Sequence, residues 1–310
     1  MSRVAKIGAL LAALCFALIL WAIDWEAVKG APFSDLQNYL EGFYYGRYRY
    51  DQAGSLVEWF TQEYLWRGLV YELGFYFDFT GIFSAIALIV LTISCVFVAH
   101  KTRSPIYLLL LVSPLTIELA FSQSRSAFGM ALIWLALMSD RKVIKYALLI
   151  LAPLIHTAML IYAVALLIPW DSGFIRKRAG IIAALLIIGS AIALGTLRDD
   201  FLDNVGDRRA YLEIVRSGVL FTAMLASYGL PFAFYPRLIL QDRAALLAVL
   251  SATISLAANL SGGAGNRFVA LALPAIIVGI SRLPNTAVRR TAFVYVLASS
   301  MAYLVLFWVG

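Results

Sequence analysis

Apolar runs long enough to cross a lipid bilayer recur from one end of this chain to the other. A transmembrane helix needs roughly 20 such residues, and the segments 5–23, 79–99, 179–197 and 215–235 approach or reach that length. Further apolar stretches occupy 105–121, 125–139, 144–155, 158–169, 244–260, 267–281 and 291–309. Only 14% of the 310 residues are charged, far below the roughly 25% of soluble domains. The expectation is an all-α polytopic membrane protein of about 10–11 transmembrane helices, with residues 1–310 forming a single transmembrane domain. Pro114, Pro153, Pro231 and Pro274 fall within or near spans and predict kinks. The first run is longer than a signal-peptide core and no small-x-small site follows it, so it reads as a retained helix. Cys15 and Cys95 sit in apolar runs and imply neither a disulfide framework nor a metal site.

Charge orients these spans. With Arg3 and Lys6 inside, alternate loops place Lys101, Arg103, Arg141, Lys142, Lys145, Arg176, Lys177, Arg178, Arg237, Arg243, Arg282, Arg289 and Arg290 on the same side. The opposite side receives 24–78 and 198–216, both rich in Asp and Glu. This positive-inside asymmetry puts the N-terminus in the cytoplasm and the long 24–78 segment outside. The basic residues lie at separate helix ends and form no single patch, which argues against nucleic acid as a partner. The stretch from Arg103 to Arg141 must go out and return, with Ser122-Gln123-Ser124-Arg125 at its outer tip. The stretch from Lys145 to Arg176 does the same with His156-Thr157 at the tip. Its arms are only about 13 residues each, so a re-entrant hairpin is an alternative to two full spans. In the outer segment, Ser34 is placed to cap a short helix. Leu56, Val57, Phe60, Tyr64 and Trp66 share a face, so short interfacial helices are expected there, as an anchor or as a cap over substrate.

Several polar residues stand where apolar ones would be cheaper. A cation in the membrane such as Arg125 costs roughly 2.5–3.5 kcal/mol on insertion scales, so it needs a partner or a task. Glu118 is the nearest intramembrane carboxylate, and a structural Glu118–Arg125 pair competes with an anion site built on the guanidinium fork. Arg267 follows Ser261-Gly262-Gly263-Ala264-Gly265-Asn266 and opens an apolar helix. Backbone N–H groups there favour an anion, while a tight outer turn with Arg267 snorkelling is the plainer reading. His156 is either a general base or phosphate donor, or a histidine bonded to a backbone carbonyl. Glu72, Asp35 and the Arg47-Tyr48-Arg49-Tyr50-Asp51 cluster mix carboxylates, arginines and aromatic rings in the outer segment, as sugar binding would require. Arg208, Arg209 and Tyr211 in the other outer loop are weaker candidates of the same kind. No metal motif, nucleotide loop or nucleophile elbow is present, so a reaction here would use a substrate that already carries its leaving group.

Four ordered motifs resemble the EpsG family, the Wzy-like polymerases of exopolysaccharide and O-antigen chains. They are Ser34-Asp35-Leu36-Gln37-Asn38-Tyr39, Tyr71-Glu72-Leu73-Gly74-Phe75-Tyr76-Phe77, Ser124-Arg125-Ser126-Ala127-Phe128-Gly129-Met130-Ala131-Leu132, and Leu154-Ile155-His156-Thr157-Ala158-Met159-Leu160-Ile161. Ser126 stands where family members often carry Gln, and Asn266-Arg267 is similar to a late arginine of such proteins. The resemblance implies a metal-independent, cofactor-free glycosyltransferase of the bacterial cytoplasmic membrane. It would join polyprenyl-pyrophosphate-linked oligosaccharides at the outer face, beside membrane lipids and other polysaccharide assembly and export proteins. It further implies Arg125 and Arg267 on the pyrophosphate and His156 or Glu72 in proton transfer. A transporter or flippase for lipid-linked glycans is the rival reading, resting on the intramembrane Arg125 and Glu118.

Overall fold

The computed structural model describes residues 3–44, 60, 63–170, 219–260 and 266–309, with scattered positions from 172 to 189. Its regular elements, among the described residues, are all helices. The chain divides into two compact units, Met1–Ala163 with Leu297–Gly310, and Val164–Val296.

The first unit begins with α1 (Arg3–Ala22), whose two faces show why it belongs in lipid. Ala9, Ala13 and Ala17 repeat every four residues and are buried, whereas Ile7, Leu11, Leu14, Leu18 and Ile19 are exposed. A soluble helix does the reverse with its large apolar residues. Small residues on the packed face let helix backbones approach closely when the surroundings are as apolar as the core. That face meets α5 (Phe79–Thr102), and Trp21 Nε1 donates to the carbonyl and hydroxyl oxygens of Ser84, each at 3.1 Å. Among the described residues α5 is the one helix long and apolar enough to cross a membrane. Shorter apolar helices cover Ile7–Ala22, Ser124–Met138, Arg243–Asn259 and Arg267–Ser281.

Between α1 and α5 lie α2 (Trp25–Lys29), α3 (Ser34–Tyr44) and α4 (Tyr64–Leu73). Short helices thus fill the described part of the segment expected to hold them, and α3 starts at Ser34. Asp24 accepts from the Ala27 N–H at 3.0 Å to start α2, and Gly30, at φ 67°, ends it. Leu56 and Val57 lie outside the described residues.

The run 105–121 is not one continuous α-helix. It divides into a 3-10 helix (Pro105–Leu111) and α6 (Pro114–Phe121). Each opens on a proline, which suits a first helical turn and not an interior, and the Ser113 hydroxyl accepts from the Leu115 N–H at 3.4 Å. Then come α7 (Ser124–Met138), α8 (Lys142–Ile155) and α9 (Met159–Leu167). The chain breaks at the two expected polar tips, Ser122-Gln123 and His156-Thr157. The 14 residues of α8 rise about 21 Å, short of the roughly 30 Å hydrocarbon core. α8 exposes Val143, Tyr146 and Ile150 along one face.

The second unit is built on α13 (Arg243–Leu260) against α14 (Asn266–Ser281). α14 is buried nearly all round from Phe268 to Ile280. Around them stand α10 (Val219–Ser227), α11 (Leu230–Ala233) and α12 (Pro236–Gln241). Pro231 opens α11, so the described part of the run 215–235 is two pieces, α10 and α11, rather than one span, and Pro236 opens α12 just beyond it. The last helix, α15 (Thr286–Leu304), continues into a π-helical turn (Val305–Val309). Most of 179–197 lies outside the described residues.

Candidate functional site

Three distant stretches converge on one buried carboxylate, Glu63. Its side chain is 0% exposed. It sits immediately before α4 with φ 58° and ψ 47°, left-handed backbone that a non-glycine residue rarely adopts. Such a conformation costs about 1–3 kcal/mol and persists where surrounding contacts over-determine it. The contacts here are strong. Arg125 Nη1 lies 2.5 Å from Glu63 Oε2. Oε1 takes a short bond from His156 Nδ1, and accepts from the Thr157 N–H at 3.1 Å and the Thr157 hydroxyl at 3.3 Å. A carboxylate only accepts, so the proton in this bond belongs on Nδ1, and Nε2 is the nitrogen turned away from Glu63.

Local sequence explains each position. Pro153 cannot donate to the fourth carbonyl before it, and α8 ends two residues later. His156 then turns extended, at φ −150° and ψ 119°, and its N–H caps the Ala152 carbonyl at 3.1 Å. That break turns the ring and the Thr157 N–H toward Glu63. On α7, Arg125 stands one turn before Gly129. A Cβ at Gly129 would lie 2.8 Å from Met159 Cγ and 3.5 Å from the Ala152 carbonyl oxygen. The missing side chain lets α7 approach the α8–α9 corner closely.

From the other side α3 contributes Tyr39, stacked on Phe83 with centroids 5.2 Å apart and 6.2 Å from Trp66. Burial pushes the Tyr39 phenol above its usual value. The Arg125 charge and a hydrogen bond from the Arg125 backbone N–H act against this, while Asp35 and Glu63 add to it. Asp35 and Tyr39 therefore belong to the electrostatic neighbourhood of Arg125 and Glu63. The site is a buried anion held between a guanidinium and an imidazole, whose side chains remain 23% and 15% exposed.

Of the expected residues, His156 and Arg125 meet at Glu63, and Asp35 acts electrostatically on the neighbouring Tyr39. Glu72 is exposed on α4, nine residues past Glu63 and so about half a turn round the helix. The carboxylate that reaches His156 is Glu63, which sequence reasoning passed over. Glu63, Trp66 and Val70 follow helical spacing and are all buried, but that spacing does not by itself say that this face turns inward. Glu118 pairs with Lys29 at 3.2 Å, and Arg125 with Glu63, so the structural alternative of a Glu118–Arg125 pair is replaced. Arg267 is exposed at the start of α14, in the second unit, where Asn266 is the first helical residue. Arg47, Arg49, Arg208 and Tyr211 lie outside the described residues.

With this geometry in hand, comparison with known families gives one result: the model of the EpsG family matches residues 10–310. No curated protein and no solved structure matches the chain.

Proposed function

Because the chain belongs to the EpsG family, a family tied to membrane-associated polysaccharide synthesis and to glycosyltransferase-like polymerase activity, we propose that it polymerises polyprenyl-pyrophosphate-linked oligosaccharide repeat units. The reaction takes place at the outer face of the cytoplasmic membrane, in a multi-pass protein whose N-terminus is cytoplasmic and whose whole length forms one membrane domain. The observation that carries the reading is Glu63 bridging Arg125 and His156.

An acceptor sugar hydroxyl attacks the anomeric carbon of the donor chain. The new glycosidic C–O bond forms as the C–O bond to pyrophosphate breaks, and polyprenyl pyrophosphate leaves with that bond's electron pair. The hydroxyl proton passes to His156 Nε2. Glu63 does not touch substrate. It is a positioning residue that fixes the ring through Nδ1 and stabilises the imidazolium once formed, in the manner of the carboxylate in a triad. Arg125, whose side chain is 23% exposed, contacts the pyrophosphate, whose growing charge a preorganised cation stabilises. Ser122 and Ser124, buried beside Arg125 with hydroxyls lacking a partner among the described residues, are suited to neutral sugar hydroxyls. Because pyrophosphate is the leaving group, the step needs no metal or nucleotide. Polysaccharide assembly and export proteins are the expected partners.

The test is a chain-length assay in proteoliposomes given radiolabelled lipid-linked repeat units. A polymerase produces a ladder of lipid-linked glycans. A flippase moves single units across the bilayer without lengthening them, and that outcome would replace this reading.

A further inference from the structure

The basic residues of the second unit do more than set orientation, because two of them line a cavity. A pocket of about 450 Å³ opens where α11 gives way to α12 and α14 runs toward α15. Phe234, Tyr235, Arg237, Gln241, Arg282 and Pro284 form much of its wall. The volume falls in the range of ordinary ligand sites, roughly 300–1,000 Å³.

Its electrostatics are one-sided. Among the described residues the lining holds two guanidiniums and no carboxylate. Asp242, outside the lining, is committed elsewhere. Its Oδ1 accepts from the Ala244 and Ala245 N–H groups at 2.9 and 3.1 Å, and its Oδ2 lies 3.1 Å from Arg282 Nη1. Asp242 therefore fixes one edge of the Arg282 guanidinium, and the Arg282 side chain remains 41% exposed. Arg237, also in the lining, is exposed. In the same lining Phe234 is 78% exposed and Pro236 is exposed too. Cations that suit a phosphate fork, next to uncovered apolar side chains, describe a ligand with an anionic phosphate head and an apolar tail.

We infer that this pocket binds the phosphate headgroup of an anionic phospholipid. Arg237 and Arg282 hold the phosphate oxygens, and Phe234 lies along the first part of an acyl chain. By the charge pattern of the loops the pocket faces the cytoplasmic leaflet, where anionic headgroups meet juxtamembrane cations. This site is independent of the reaction proposed above.

The full-length protein, exchanged into mixed phosphatidylglycerol and phosphatidylcholine nanodiscs, tests the assignment by native mass spectrometry of retained lipid. The wild type is expected to retain phosphatidylglycerol preferentially. Arg237→Gln with Arg282→Gln should cut that preference about 10- to 30-fold, from the worth of two interfacial cations. Arg237→Gln alone should cut it about fivefold by the same reasoning, and it leaves the Asp242–Arg282 pair intact should the double variant fail to fold. Arg289→Gln with Arg290→Gln, which alters basic residues outside the pocket, should change nothing. Equal loss in that control, or no preference in the wild type, overturns the site. Displacement of the lipid by millimolar inorganic phosphate would assign the pocket to free phosphate and overturn the lipid.

Discussion

Glu63 joins the two side chains on which the proposed reaction depends, Arg125 and His156. Removing one partner of a buried ion pair typically costs about 3–5 kcal/mol, so Glu63→Ala should lose both fold and activity and teach little. Glu63→Gln keeps the shape and removes the charge. It should leave the protein in the membrane but lower polymerisation by about 100-fold or more, since proton transfer by a positioned base contributes about 10²–10⁴-fold. Turnover at matched membrane abundance measures this. His156→Gln separates two roles for the ring, because glutamine donates a hydrogen bond but cannot accept a proton near neutral pH. Activity lost in both His156→Gln and His156→Ala means proton transfer. Activity kept in His156→Gln means phosphate binding, and wild-type turnover in both removes the residue from the mechanism. Tyr39→Phe preserves the stack on Phe83 but strands the Arg125 N–H, which should destabilise the protein by about 1–3 kcal/mol, read as a lower thermal midpoint. Sequence pattern exposed Arg125 and His156 because each interrupts an apolar run. It hid Glu63 because the outer segment is full of carboxylates, and its pairing with His156 spans 93 positions. No local spacing encodes such a contact.

At the scale of elements, helix breaks were legible and helix continuity was less so. Polar tips at Ser122-Gln123 and His156-Thr157 stood out against apolar arms, and the chain turns at both. The division of 105–121 depended on reading Pro105 and Pro114 as helix starts rather than kinks, which periodicity alone does not decide. Gly129 shows how element packing sets the site. Gly129→Ala places a methyl group 2.8 Å from Met159 Cγ, and overpacking of this kind costs about 1–3 kcal/mol. Because α7 carries Arg125 and the α8–α9 corner carries His156, this substitution should reduce turnover beyond its effect on stability. Gly8→Ala, with open space around it, should leave turnover unchanged, and equal behaviour of the two would show that α7 does not set the geometry.

For the molecule as a whole, small residues packed inward and large apolar ones turned outward on α1 mark a protein solvated by lipid. The charge asymmetry then predicts its orientation. In a background lacking Cys15 and Cys95, Tyr76→Cys, in an exposed turn before α5, should react with an impermeant thiol reagent added outside. Thr286→Cys, exposed at the start of α15, should react from inside alone, and the opposite pattern would invert the topology. The central claim is that this protein makes glycosidic bonds by releasing polyprenyl pyrophosphate at the Glu63–Arg125–His156 site. The most direct measurement is therefore the amount of polyprenyl pyrophosphate released per linkage formed, in wild-type and His156→Ala proteoliposomes supplied with lipid-linked repeat units. One released lipid pyrophosphate is expected per new linkage in the wild type, and neither release nor linkage in His156→Ala. Linkage formation without release, or full release in the variant, would contradict the claim.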